Sequence, residues 1–363
     1  MSLILIGCRW RRRTSVARIL VSKQAPDTHV SIVYKMVLNQ RLFFPDLEVV
    51  PSMRRLGLLL AFAGVVLTGA CSDSAGPTPP VQSAYKIDLR FFGAATTASE
   101  QTLFANAAAR IKQIVVGAPP LVDATGADPA KNCGATGVPI FSGTIDGIVI
   151  YASFDSIDGR GKILAQSGPC YIRQNGTQND YRTSIGVMKF DTADVAALVG
   201  SGNLQEVITH EMMHVLGFGS FWDTTSANLL INYGTNVSYI GAGGIAGCKS
   251  LGGINTCATS VPVEGTQGGD GTINSHWRET TFGNELMTGF INAGKNPLSI
   301  MSIRSLEDLG YTVDTTAADA YSNAGLNLRA AGSVADPSPT PGVWEKGLPH
   351  RPIALPTIPG TGR

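Results

Sequence analysis

His210-Glu211-Met212-Met213-His214 puts two imidazoles and a carboxylate on one turn of helix. Side chains at i and i+4 share a helix face, so both imidazoles can reach one metal ion at roughly 2.0–2.1 Å. Glu211, next to the first histidine, then faces the open position of that ion, where a carboxylate can take a proton from water. The pattern reads as a catalytic zinc site. The chain has five histidines, His29, His210, His214, His276 and His350. The first falls in a leader and the last in a tail, so every histidine of the folded part is a candidate ligand.

Two histidines do not complete such a site, which takes three protein ligands and a water. In the compact pattern H-E-x-x-H-x-x-G-x-x-H the third histidine would occupy position 220. Gly217 is in place, but position 220 is Ser220. A glutamate some 20 residues downstream is the other common solution, and no Asp or Glu occurs between Asp223 and Glu264. Asp223 itself lies in a Phe-Trp-Asp-Thr-Thr turn, where a short acidic side chain caps or solvates the turn. That leaves His276, in Asn274-Ser275-His276-Trp277-Arg278. A lone downstream histidine is usually an ordinary core or surface residue.

The elements that must hold these groups are legible in outline. Tyr85–Phe92 alternates and predicts a strand. Thr97-Ala98-Ser99-Glu100 is a capping box, after which Phe104, Ala107, Ile111 and Ile114 repeat at helical spacing until Gly117. Three β-rich runs follow, at Ile145–Phe154, Tyr171–Arg173 and Ile185–Phe190. Ile145–Phe154 is either a cleft-edge strand that pairs with an extended substrate or an interior strand. The metal-bearing helix is predicted from Asn203, with Glu206 completing a second capping box and Gly217 ending the helix. Leu204, Ile208, Met212 and Val215 form its buried stripe, while Val207, His210, Glu211 and His214 line the cleft. The order β-α-β-β-β-α describes an α+β lobe.

The ends of the chain read differently. Arg54 and Arg55 precede an apolar run from Leu56 to Leu67 and then Thr68-Gly69-Ala70-Cys71. That is a charged start, a secretory-length core and a small-residue cleavage site. The run is shorter than the roughly 20 apolar residues of a transmembrane helix. Translation is read as starting at Met53, with residues 1–52 a gene-model extension. Residues 53–71 are then a lipoprotein-like signal peptide with Cys71 the lipidation candidate, 72–82 a Pro-rich tether, and 315–363 a tail, Pro/Gly-rich and disordered from about 335. Residues 1–71 hold 10 of the 28 Lys and Arg but only 3 of the 27 Asp and Glu. The remainder is therefore mildly acidic, with no basic stripe for nucleic acid. Four cysteines remain beyond the processing site, an even number that fits two disulfides in an exported protein. Proximity favours Cys248–Cys257 and Cys133–Cys170 among the three connectivities. No C-x-x-C spacing supports a cysteine zinc site.

Taken together, His210–Phe218 (H-E-M-M-H-V-L-G-F), His276-Trp277, Glu285–Gly289 (E-L-M-T-G) and Ser305–Tyr311 (S-L-E-D-L-G-Y) resemble the leishmanolysin-type metallopeptidases. These are metzincins with a long insertion between the Gly and the third His. The resemblance spans roughly residues 166–314 and is absent from leader and tail. It implies His210, His214 and His276 as zinc ligands, Glu211 as general base and Met287 as the Met-turn beneath the metal. It also implies an α+β zincin fold over residues 83–314. An N-terminal mixed-sheet lobe (83–217) would end in the metal-bearing helix. A 58-residue insertion (218–275) and an irregular C-terminal lobe with the Met-turn (276–314) would follow. Where some metzincins place a helper tyrosine after the Met-turn, this chain has Phe290, so no phenolic helper is assumed. The activity implied is that of an exported, lipid-anchored zinc endopeptidase acting on proteins or peptides, in which Glu211 assists attack by a zinc-bound water. Two rivals stand beside it: a non-catalytic zinc-containing surface lipoprotein or adhesin, and a zinc hydrolase of non-peptide bonds. Calcium near Gly268-Gly269-Asp270-Gly271 is conceivable on composition but has no supporting motif.

Overall fold

The protein is described by a computed structural model over residues 5–10, 13–18, 84–176, 178–292, 294–322 and 351–362. The expected signal peptide with Cys71, the tether at 72–82, His29 and His350 lie outside the described residues. The chain divides into two units, Met1–Asp73 and Ser74–Arg363. In the first, β1 (Leu5–Trp10) and β2 (Arg13–Arg18) pair antiparallel. Everything below concerns the second.

Its first strand, β3 (Ile87–Phe91), leads into α1 (Ala98–Ile114). The capping box is formed as read, with the Thr97 side chain accepting from the Glu100 N–H and Glu100 reaching back to the Thr97 N–H at 2.7 Å. Short β4 (Val122–Asp123), α2 (Pro129–Cys133) and β5 (Thr144–Ile145) then lie over one side of the sheet. The long strands follow: β6 (Ile148–Asp155), β7 (Ala165–Asn175) and β8 (Gln178–Asp191). Next come α3 (Thr192–Ser201) and α4 (Leu204–Val215), which carries the H-E-x-x-H residues.

Beyond α4 the chain is more irregular. Strands β9 (Leu230–Ile231), β10 (Ser238–Tyr239) and β11 (Val261–Pro262) form a small antiparallel sheet with β10 in the middle. Between β10 and β11 runs α5 (Ala242–Ser250), followed later by α6 (Glu279–Phe282) and α7 (Ile300–Ser305). The last strand is β12 (Ile353–Pro356). No helix among the described residues is long and apolar enough to cross a membrane.

The main sheet has the order β12-β7-β8-β6-β3 and is mixed. Pairs β3–β6, β6–β8 and β7–β12 are parallel, and β7–β8 is antiparallel. This is the α+β architecture with a mixed sheet that the sequence indicated. Strand β6 decides between the two readings of Ile145–Phe154. It sits between β8 and β3, with Ile148, Ile150 and Ala152 packed in one core and Val149 and Tyr151 in the other. Burial of both faces is why the run is apolar without alternation. It is interior, and the cleft-edge alternative is set aside.

Two further expectations change. Asn203 makes no side-chain cap bond and its backbone is helical (φ −87°, ψ −10°). Glu206 instead accepts from the Asn296 side chain at 2.8 Å. The C-terminal stretch read as a disordered tail includes β12, which extends the sheet beside β7.

Candidate metal centre

Helix α4 lies against the sheet at very short range. A Cβ on Gly186 of β8 would stand 2.4 Å from Val215 Cγ1, so only glycine lets helix and strand meet there. Leu204, Ile208, Met212 and Val215 join the main core as predicted. The Ser167 hydroxyl of β7 donates to the Glu211 carbonyl at 3.0 Å, which fixes the histidine-bearing turn of the helix to the antiparallel strand. Val207, His210, Glu211 and His214 are also enclosed.

His276 reaches the same point from the segment between β11 and α6. Its carbonyl accepts from Glu264 N, and Glu264 O accepts from Asn274 N, both at 2.9 Å, bracing the segment on either side. The chain leaving α4 touches it too: a Cβ on Gly219 (φ +70°) would lie 2.2 Å from Ser275 O. The three Nε2 atoms of His210, His214 and His276 are mutually 3.0–3.1 Å apart. Among the described residues, these three form the group of His, Cys, Asp or Glu side chains placed to share an ion. Asp270 is exposed and no such group includes it.

The opposite ring nitrogens are each engaged. His210 Nδ1 faces Leu286 O at 2.7 Å, and His214 Nδ1 faces Phe218 O at 2.9 Å. His276 Nδ1 lies 2.9 Å from Ser275 Oγ and 3.2 Å from Thr272 O. A carbonyl can only accept, so Nδ1 carries the hydrogen in each ring and Nε2 presents a lone pair. Three lone pairs converging at this range repel one another unless a cation lies between them. Tetrahedral binding at roughly 2.0–2.1 Å requires nitrogens about 3.3 Å apart, close to the spacing observed. The donor set therefore fits zinc, with three neutral imidazoles as its protein ligands.

Met287 is fully buried in the same core, in the segment that supplies Leu286 O to His210. Two residues before it, Glu285 is also fully buried. Its Oε2 accepts from Met287 N at 2.6 Å. Its Oε1 accepts from Ser299 N (3.0 Å), Ser299 Oγ (2.7 Å) and Ser302 Oγ (2.6 Å). Burial raises the pKa of this carboxyl group, against the lowering effect of those donors. A small pocket opens beside His210, lined by Glu206, Val207, Leu286, Thr288, Phe290 and Asn296.

The four cysteines pair as proximity indicated. Cys133–Cys170 ties α2 to β7, and Cys248–Cys257 ties the end of α5 to the loop beyond it. Sequence reasoning thus named the three imidazoles that converge. It missed the groups that orient them: Ser167, the Phe218 and Leu286 carbonyls, and Glu285. Carbonyls leave no mark in a residue code. Glu285 did leave one, as an acid beside Leu-Met in an apolar stretch.

Comparison with known proteins adds one match. The leishmanolysin peptidase family model covers residues 131–326, more than half of the chain. No curated protein and no solved structure matches.

Proposed function

Since the chain belongs to the leishmanolysin family of metallopeptidases, we propose that it is an exported zinc endopeptidase that cleaves peptide bonds in protein or peptide substrates. The observation that carries this reading is the convergence of three Nε2 lone pairs at 3.0–3.1 Å with each Nδ1 already committed. His210, His214 and His276 would hold the ion. A zinc ion held there supplies Lewis acidity, making water acidic near neutral pH and polarising the substrate carbonyl.

The remaining work falls to the chain's own groups. Glu211 is the general base: its carboxylate takes the proton from the attacking water and returns it to the departing amine nitrogen. Glu211 is fully buried, and since charges interact more strongly out of water, its carboxylate would act there with a strengthened electrostatic role. Met287, fully buried in the core, would form the apolar floor of the Met-turn. The fold is of the metzincin kind, with a catalytic domain at 83–314 in which an insertion (218–275) separates Gly217 from the third histidine. A signal peptide at 53–71 and lipidation of Cys71 would place the enzyme on the outer side of a bacterial membrane, anchored by its tether.

Glu211→Gln is the decisive variant, because holding a metal does not require Glu211 whereas moving the proton does. Expected is full zinc content with kcat on casein reduced by about 10²–10⁴-fold. Undiminished cleavage by a zinc-loaded Glu211→Gln protein would overturn the mechanism. A wild-type protein that binds zinc but cleaves no peptide would favour the non-catalytic lipoprotein reading, and cleavage of small esters alone would favour a hydrolase of non-peptide bonds. His276→Ala tests the third ligand: zinc affinity equal to wild type would remove His276 from the site.

A further inference from the structure

Glu285 is too well connected to be a passive core residue. Four donors converge on it, and each leads elsewhere. Met287 N belongs to the turn whose preceding carbonyl, Leu286 O, orients His210. Ser302 Oγ, which donates to Glu285, accepts from Trp277 Nε1 at 2.8 Å. Trp277 directly follows His276, and its backbone N–H donates to Met287 O at 3.0 Å. Ser299 is the residue before α7, so both its donors fix the start of that helix.

We propose that Glu285 is a positioning residue for the metal centre, setting two imidazoles at once by holding the Leu286–Met287 turn under His210 and, through Ser302, the indole that follows His276. This rests on reading the three imidazoles as a zinc site. A carboxylate suits the task because all four of its partners donate, and only a group that accepts through both oxygens can satisfy them. Glutamine cannot. Its single oxygen leaves the NH₂ opposed either to Met287 N–H or to the three serine donors. Outer partners of metal-bound histidines commonly change metal affinity by 10–100-fold when altered. Glu285 lies one step further out and acts on two rings.

The test uses the full chain, stripped of metal and reloaded with zinc or cobalt. Zinc affinity is read by chelator competition and ligand geometry by the visible spectrum of the cobalt form. Glu285→Gln and Ser302→Ala are compared with wild type, and with Phe104→Leu, a core substitution in α1 that weakens the fold away from the site. Expected for Glu285→Gln and Ser302→Ala is zinc binding weaker by about 10–100-fold with a shifted cobalt spectrum, while Phe104→Leu keeps both wild-type properties. Wild-type affinity and spectrum in both variants would overturn the proposal, as would equal changes in Phe104→Leu. Should Glu285→Gln not fold, Ser302→Ala alone decides on the same criteria. A wild-type chain that takes up neither ion would instead overturn the zinc reading itself, and that outcome is distinct because it needs no variant.

Discussion

At Gly219 one missing methyl group sets the distance between the two halves of the metal centre. Its φ of +70° suits glycine, and a Cβ there would meet the Ser275 carbonyl at 2.2 Å, one residue before His276. Backbone cannot yield as a flexible side chain can. Gly137 provides the comparison, with φ +83° but nothing within 4 Å of its added Cβ. Gly137→Ala should cost only the backbone strain, about 1 kcal/mol. Gly219→Ala should cost about 2–4 kcal/mol from strain plus clash, and should weaken zinc binding because the displaced segment carries the third imidazole. Thermal melts and chelator competition on both variants check this. Equal zinc affinity in the two would show that the close approach does not govern His276. The residue code announced Gly217 as a helix stop, but the role of Gly219 depends on a segment more than 50 residues away and has no local signature.

Elements were legible where their signals are local and misread where one residue serves two of them. Thr97 and Glu100 announced α1 because a capping box needs only four consecutive residues. Asn203 and Glu206 offered the same signal falsely. Gly202 (φ +79°) ends α3 one residue earlier, leaving Asn203 in a helical conformation with no room for an extended cap. Helix α3 escaped notice because Asp191 both closes β8 and caps α3, so no loop separates the two. Asp191 is also the hinge pin of the 158–159 turn. Its Oδ1 accepts from Ala193 N, and its Oδ2 from Asp158 N and Gly159 N, at 2.8–2.9 Å. Burial would raise its pKa, yet these backbone donors outweigh burial and lower it. A carboxyl group lowered on folding adds stability above its unfolded pKa of about 3.9 and loses it as pH falls through the lower folded value. Asp191→Asn should therefore be less stable than wild type by roughly 2–3 kcal/mol at pH 7, with the gap closing below about pH 4. Urea melts at pH 7 and pH 3 measure it, and a gap of constant size would mean that the charge of Asp191 contributes nothing.

At the scale of the molecule, β12 shows what composition hides. Four residues, Ile353–Pro356, are too few to display a period, and the Pro-rich context argues for a tail. What makes them a strand is a partner 182 residues earlier: Ile353 lies opposite Tyr171 and Pro356 opposite Gln174. Thr357 N and Ile358 N continue the attachment to Gln174 O and Leu121 O, and Leu355 packs on the core that includes Tyr151 and Tyr171. The unit's last described strand thus closes the outer edge of β7, the strand that also fixes α4 through Ser167. An uncovered strand edge is a site for pairing with another chain, so β12 protects as well as stabilises. Its pairing covers Tyr171–Gln174, several residues along the strand from Ser167, which separates stability from metal binding. Removing residues 351–363 should cost about 2–3 kcal/mol in lost burial and edge bonds, a fall of roughly 5–10 °C in Tm. It should also bring concentration-dependent association, visible by light scattering, while zinc affinity stays at the wild-type value. Loss of zinc binding in a truncated protein that remains folded would show instead that the edge of β7 transmits strain to the helix holding His210 and His214.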